Sequence, residues 1–159
     1  ANNGYEEFNT VVANTFNNYR YAFYALNQSL LTVSDNVVNN NASTFGYGLY
    51  ASRVVGLNMS SNKVLGVMGN GGIFVTNSND STLGPNLITN NVISGTFTTT
   101  STFSSIYGIY VGGSYSATAT NPVNGLDDVE VVFNTINLTI DAPTTSAFGL
   151  LHITGGFGT

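Results

Sequence analysis

Two short patterns alternate along this chain, and together they constrain its fold more than any other feature. The first runs apolar, two residues, Asn, one residue, apolar. It fits Val11-Asn14-Phe16, Val33-Asn36-Val38, Met59-Asn62-Val64, Ile88-Asn91-Ile93 and Val131-Asn134-Ile136. The second begins with a small residue followed by large apolar ones: Ala22-Phe23-Tyr24, Gly48-Leu49-Tyr50, Gly72-Ile73-Phe74, Gly108-Ile109-Tyr110 and Gly149-Leu150-Leu151. Asparagine is abundant, so matches to the first pattern alone would be cheap. Strict alternation with an independent second pattern is not. A step of 22 residues between the first two asparagines suits one turn of a coil made of three short strands and three turns, so a repeat architecture is expected.

Composition agrees. Charged residues make up only 7% of the chain, so the polar surface has to come from Asn, Ser, Thr and Gly, a mixture that favours turn-rich β structure over helix bundles. A net charge of −5 with three basic residues argues against nucleic acid as a partner, and no apolar run is long enough for a membrane span. No cysteine is present, which removes disulfides and thiolate metal sites.

With these repeats the chain resembles the right-handed parallel β-helix, the pectate-lyase-like solenoid, over roughly residues 9–155. In that family the short turn between the second and third strands often carries an Asn in the left-handed backbone region, which Asn tolerates better than most residues. The resemblance gives that role to Asn14, Asn36, Asn62, Asn91 and Asn134, stacked about 4.8 Å apart as an amide ladder. The expected fold is all-β: one solenoid domain over residues 1–159 of about five coils. Residues 1–8 are expected to form a cap or part of a preceding coil, and residues 147–159 an unfinished last coil. The alternative is an antiparallel β-sandwich in which Asn marks hairpin turns. Two inserts after the first strand, 76–86 and 112–127, are expected to lie one above the other, and a second pair, 95–105 and 141–146, falls in the turn before that strand.

Simple alternation assigns the faces of the first strand in each coil. Tyr21, Phe23, Tyr47, Leu49, Ile73, Tyr107 and Ile109 are expected inside. Gly48, Gly72, Gly108 and an aromatic column of Tyr24, Tyr50, Phe74 and Tyr110 are expected outside. That column is the glycan-binding candidate, because a flat aromatic strip beside glycines can stack on sugar rings; a self-stacked aromatic ladder is the competing account. Polysaccharide lyases and hydrolases that resemble this fold carry acidic residues on this outer face. None stands here, so no catalytic residue carries over from them. Asp127, Asp128 and Glu130 form the one acidic concentration and are a Ca²⁺ candidate lacking any recognised calcium-loop spacing. No other cofactor is expected. His152 is the single histidine, and no GxSxG elbow accompanies it.

The expected function is an extracellular or cell-surface structural or adhesive module of a larger protein, more readily non-enzymatic than enzymatic. Its expected partners are flanking domains or neighbouring subunits at the solenoid ends, and surface glycans. Two alternatives stand beside it: a fragment of a polysaccharide lyase or glycoside hydrolase, and a polymerising filament subunit.

Overall fold

The computed structural model describes residues 6–40, 46–67, 70–78, 84–98, 105–113, 129–141 and 146–153. They form five three-stranded coils and one further strand. The coils are β1 (Glu6–Glu7), β2 (Thr10–Val12) and β3 (Thr15–Asn17); β4 (Tyr21–Ser29), β5 (Thr32–Ser34) and β6 (Val37–Asn40); β7 (Tyr47–Val55), β8 (Asn58–Ser60) and β9 (Lys63–Val67); β10 (Gly71–Thr76), β11 (Asn86–Thr89) and β12 (Val92–Thr98); and β13 (Ser105–Gly112), β14 (Val129–Val132) and β15 (Thr135–Asp141). The strand β16 (Ser146–Ile153) follows.

Corresponding strands of successive coils pair in parallel and make three sheets, ordered β1-β4-β7-β10-β13-β16, β2-β5-β8-β11-β14 and β3-β6-β9-β12-β15. Every pairing is parallel, which excludes the antiparallel sandwich. The register of both repeat patterns is kept from coil to coil. Val11, Val33, Met59, Ile88 and Val131 stand in one row, and Phe16, Val38, Val64, Ile93 and Ile136 in another. The middle members of these rows, with Leu49, Ile73 and Ile109 of the first sheet, are fully buried and fill the solenoid. A chain with so few charges can therefore have a continuous core only one strand-width from solvent.

The turn between the second and third strands of each coil is two residues long, and its chemistry differs from the expectation in one respect. The ladder asparagines are not the left-handed residues. Positive φ falls on the residue before each: Ala13 (57°), Asp35 (56°), Ser61 (57°), Asn90 (56°) and Phe133 (57°). Only one of these five is Asn, so most of the turns adopt a conformation that their residue disfavours by about 1–2 kcal/mol. The hydrogen bonds of the following asparagine offset that strain.

At Asn62, which is fully buried, every polar atom is used. Its Oδ1 accepts from Asn36 N (3.1 Å) and Asn36 Nδ2 (2.9 Å). Its N–H and Nδ2 donate to Asn91 Oδ1 at 2.9 and 3.0 Å, its Nδ2 donates also to Val33 O at 2.8 Å, and its carbonyl accepts from Val92 N at 2.8 Å. The same set links Asn14 to Asn36 and Asn91 to Asn134.

The faces of the first sheet also differ from simple alternation. Gly48, Gly72 and Gly108 point inward, not outward. A Cβ on Gly48 would sit 2.5 Å from Val64 Cγ1 and 2.6 Å from Gly72 O; on Gly72, 2.5 Å from Ile93 Cγ2 and 2.8 Å from Gly108 O; on Gly108, 2.5 Å from Ile136 Cγ2. The next residues, Leu49, Ile73 and Ile109, are buried as well. Two consecutive inward residues mark a corner at which the strand bends against the third sheet, and only glycine lets the backbone approach that closely. Because of this corner Tyr21, Tyr47 and Tyr107, expected inside, emerge on the outer surface.

Two outcomes are expected. Asn62→Ala takes the Oδ1 acceptor from Asn36 N–H and Nδ2 and the Nδ2 donor from Val33 O, while Asn91 Oδ1 keeps only the backbone N–H of residue 62, and should lower stability by about 3–5 kcal/mol in a denaturant titration. Asn62→Asp, which substitutes acceptors for donors, should cost more at neutral pH and recover partly in acid; equal stability of the two variants at both pH values would contradict the ladder's energetics. Gly72→Ala should cost about 2 kcal/mol or more, since one of its clashes is with a backbone carbonyl that has no free rotamer.

Candidate functional site: the aromatic face

The corner in the first sheet places residues i and i+3 on one outer surface, and this builds an aromatic face two columns wide. Tyr24, Tyr50, Phe74 and Tyr110 are in strand register and stack nearly parallel, with centroids 4.7, 5.6 and 4.1 Å apart and interplanar angles of 11°, 9° and 6°. The second column, which alternation missed, holds Tyr21, Tyr47, Tyr107 and Phe148, with Gly71 at the register between Tyr47 and Tyr107. Tyr47 leans across beside that glycine, 4.4 Å from Phe74, and Tyr107 lies 5.7 Å from Phe148. Tilted and edge contacts tie the columns together, such as Tyr21–Tyr24 at 5.5 Å and Tyr107–Tyr110 at 5.1 Å. The signal available in the sequence was the spacing Tyr21-x-x-Tyr24, Tyr47-x-x-Tyr50 and Tyr107-x-x-Tyr110. It reads as an accident until the strand is known to turn a corner.

The stacking decides which parts of the rings remain usable. Tyr50 and Phe74 have both ring faces covered by their column neighbours, so what they present to solvent is ring edge and, for Tyr50, hydroxyl. Tyr24, at the end of its column, is 52% exposed, and Tyr21 is 41% exposed with the Arg20 guanidinium 5.8 Å from its ring centroid. Sugar rings therefore cannot lie flat along the strip. Contact there has to run through edges and hydroxyls, with face stacking left to the end ring. Each ring pair also contributes about 0.5–1.5 kcal/mol beyond its burial, so the face stabilises the coil stack whatever touches it.

Burial raises the phenol pKa of Tyr19, Tyr47 and Tyr110 above its ordinary value. At Tyr47 desolvation dominates, opposed by a hydrogen bond with Asn70 and reinforced by neighbouring tyrosines.

The remaining candidates are scattered. Glu130 is exposed on β14, in register with Leu87, whereas Asp127 and Asp128 lie outside the described residues. Among the described residues no three His, Cys, Asp or Glu side chains come together as a metal site. His152 falls on β16 in register with Val111. Of the inserts at 76–86, 95–105, 112–127 and 141–146, residues 79–83, 99–104, 114–127 and 142–145 lie outside the described residues. No helix among the described residues is long and apolar enough to cross a membrane.

Residues 2–137 match the family described as periplasmic copper-binding protein (NosD). No curated protein and no solved structure matches the chain. The donors of this chain do not fit a copper centre. Copper sites draw on imidazole, thiolate and thioether groups held together, and this chain has one histidine and no cysteine. Of its two methionines, Met59 is fully buried in the core row between Val33 and Ile88.

A pH dependence follows from the buried phenols. A group whose folded pKa lies above its unfolded value, about 10 for tyrosine, holds its proton more tightly when folded. Its contribution to stability is complete below that pH and is lost as pH rises through the folded value. The melting temperature should thus be flat from neutrality to about pH 9 and fall beyond about pH 10, and a decline already complete by pH 9 would show that these phenols are not the groups responsible.

Proposed function

The chain belongs to the NosD family of periplasmic right-handed parallel β-helices, and we propose that it serves as an extracytoplasmic scaffold whose tyrosine-edged face contacts neutral saccharide. One observation carries the scaffold reading. Two lateral ladders run along the solenoid: one of side-chain amides from Asn14 to Asn134 through all five coils, and one of stacked rings from Tyr24 to Tyr110 through the second to the fifth. A rod built this way resists bending and local opening, because separating neighbours among the second to fifth coils breaks amide and ring contacts on two of its sides at once. The face itself supports the saccharide reading: Tyr24, Tyr50 and Tyr110 stand in one register column, at a spacing of one strand per coil. Their hydroxyls can donate to and accept from sugar hydroxyls, while the ring edges meet the apolar faces of pyranose rings. Cell-surface placement, adhesion to a matrix and attachment to further domains belong to the same proposal.

Removing hydroxyls without disturbing the stack tests the saccharide contact. The double change Tyr50→Phe and Tyr110→Phe should leave the melting temperature within a few degrees and weaken retention on immobilised neutral polysaccharide at least tenfold, whereas Tyr50→Ala with Tyr110→Ala should lower both. Unchanged retention in the Phe pair would remove the saccharide reading and leave the scaffold. Release of reducing ends or unsaturated uronates by the 159-residue chain would overturn the scaffold in favour of an enzyme.

A further inference from the structure

Beyond the aromatic face the first sheet turns a second corner, and we infer that Arg53, which stands at it, orients the bound saccharide by donating to two adjacent sugar hydroxyls; this rests on the saccharide reading above. Asn27, Arg53 and Asn77 share a left-handed backbone, with φ of 53°, 53° and 50°. They make one row. Asn27 and Arg53 stand between the register pairs Leu26↔Ser52 and Gln28↔Val54, and Asn77 follows Thr76, the other partner of Ser52. In β7 the flanking Ala51 and Val54 are both fully buried in the core, whereas Arg53 is exposed. The left-handed residue thus bends the strand and turns its own side chain to solvent.

Arginine is the wrong residue for that backbone. Asn tolerates the left-handed region, a long side chain much less, and Asn holds the position in the coils on either side. Nothing within the coil accounts for the exchange. Among the described residues no hydrogen bond or ion pair holds the Arg53 guanidinium, and Val54 closes the core beneath it. A strained, exposed residue without an intramolecular task points to an external one.

The neighbouring column supplies the ligand chemistry. The Tyr110 ring runs along its strand, so that a Cβ on Gly112 would collide with its hydroxyl end. Gly112, Thr76 and Ser52 are in register, and Phe74 and Tyr50 stack on Tyr110 within 9° of parallel. The Tyr50 ring lies the same way over Ser52, which is only 5% exposed, and its hydroxyl borders the corner at Arg53. A guanidinium presents a planar fork of N–H donors, which suits two neighbouring hydroxyls of one pyranose. The ring column repeats from coil to coil, so by itself it fixes neither the register nor the direction of a sugar chain. Arg53 stands at one coil only, and fixes both.

Arg53→Asn replaces the strained residue with the one its neighbours use. Its melting temperature should rise by about 2 °C or more. Retention on immobilised mannan, dextran or xylan, whichever holds the parent chain, should fall about tenfold. Arg53→Lys, which keeps the charge and loses the fork, should weaken retention as well. Lys63→Asn, which removes the same charge from an exposed position on the third sheet, should leave retention unchanged. Full retention in Arg53→Asn, equal loss in Lys63→Asn, or a lower melting temperature in Arg53→Asn would each overturn the inference. The saccharide reading would then still stand or fall by the Tyr50 and Tyr110 phenylalanine pair. A parent chain held by none of the three polysaccharides would overturn both.

Discussion

The whole structure depends on side-chain amides that hydrogen-bond along the solenoid axis as regularly as the backbone does. A β-helix has to turn three times per coil, and each turn brings polar backbone groups towards a dry interior. At the turn between the second and third sheets the ladder asparagine answers all of them at once, and the buried Asn62 leaves no polar atom unused. That saturation is what allows Ala13, Asp35, Ser61 and Phe133 to hold a left-handed backbone without being glycine. The strain and its compensation sit on adjacent residues, which also explains why the residue before the asparagine varies so freely.

The aromatic columns are a second axial ladder of a different chemistry. Amides bond inside, where desolvation makes each hydrogen bond count. Rings stack outside, where burying one face against the next removes apolar surface that the few charges of this chain could not offset. The geometry of the corner at Gly48, Gly72 and Gly108 joins the two. Without side chains there, the first sheet can press against Val64, Ile93 and Ile136, and the same bend turns two sets of aromatic residues outward instead of one.

Copper marks the point at which family description and chain chemistry part. The backbone of a β-helix places no requirement on metal ligands, so a fold can persist while the donor set does not. Here the coil positions are occupied by asparagines, valines, glycines and tyrosines that serve stacking, and one histidine with no cysteine gives copper nothing to bind cooperatively.

Much was legible in the sequence. The alternating patterns carried the coil number, the parallel class, the place of the asparagines and the column Tyr24, Tyr50, Phe74 and Tyr110, because each is a local requirement repeated at every coil. The left-handed residue was misplaced by one position, since tolerance of that conformation is an average preference and the turn is settled by which side chain the ladder can use. The inward glycines and the outward Tyr21, Tyr47 and Tyr107 were also misplaced, since alternation holds only for a straight strand. The sequence by itself determined that identical chemistries recur at each coil and must stack. Only the tertiary structure decided which way each faces, because that depends on where a strand bends against a neighbour far away in the chain.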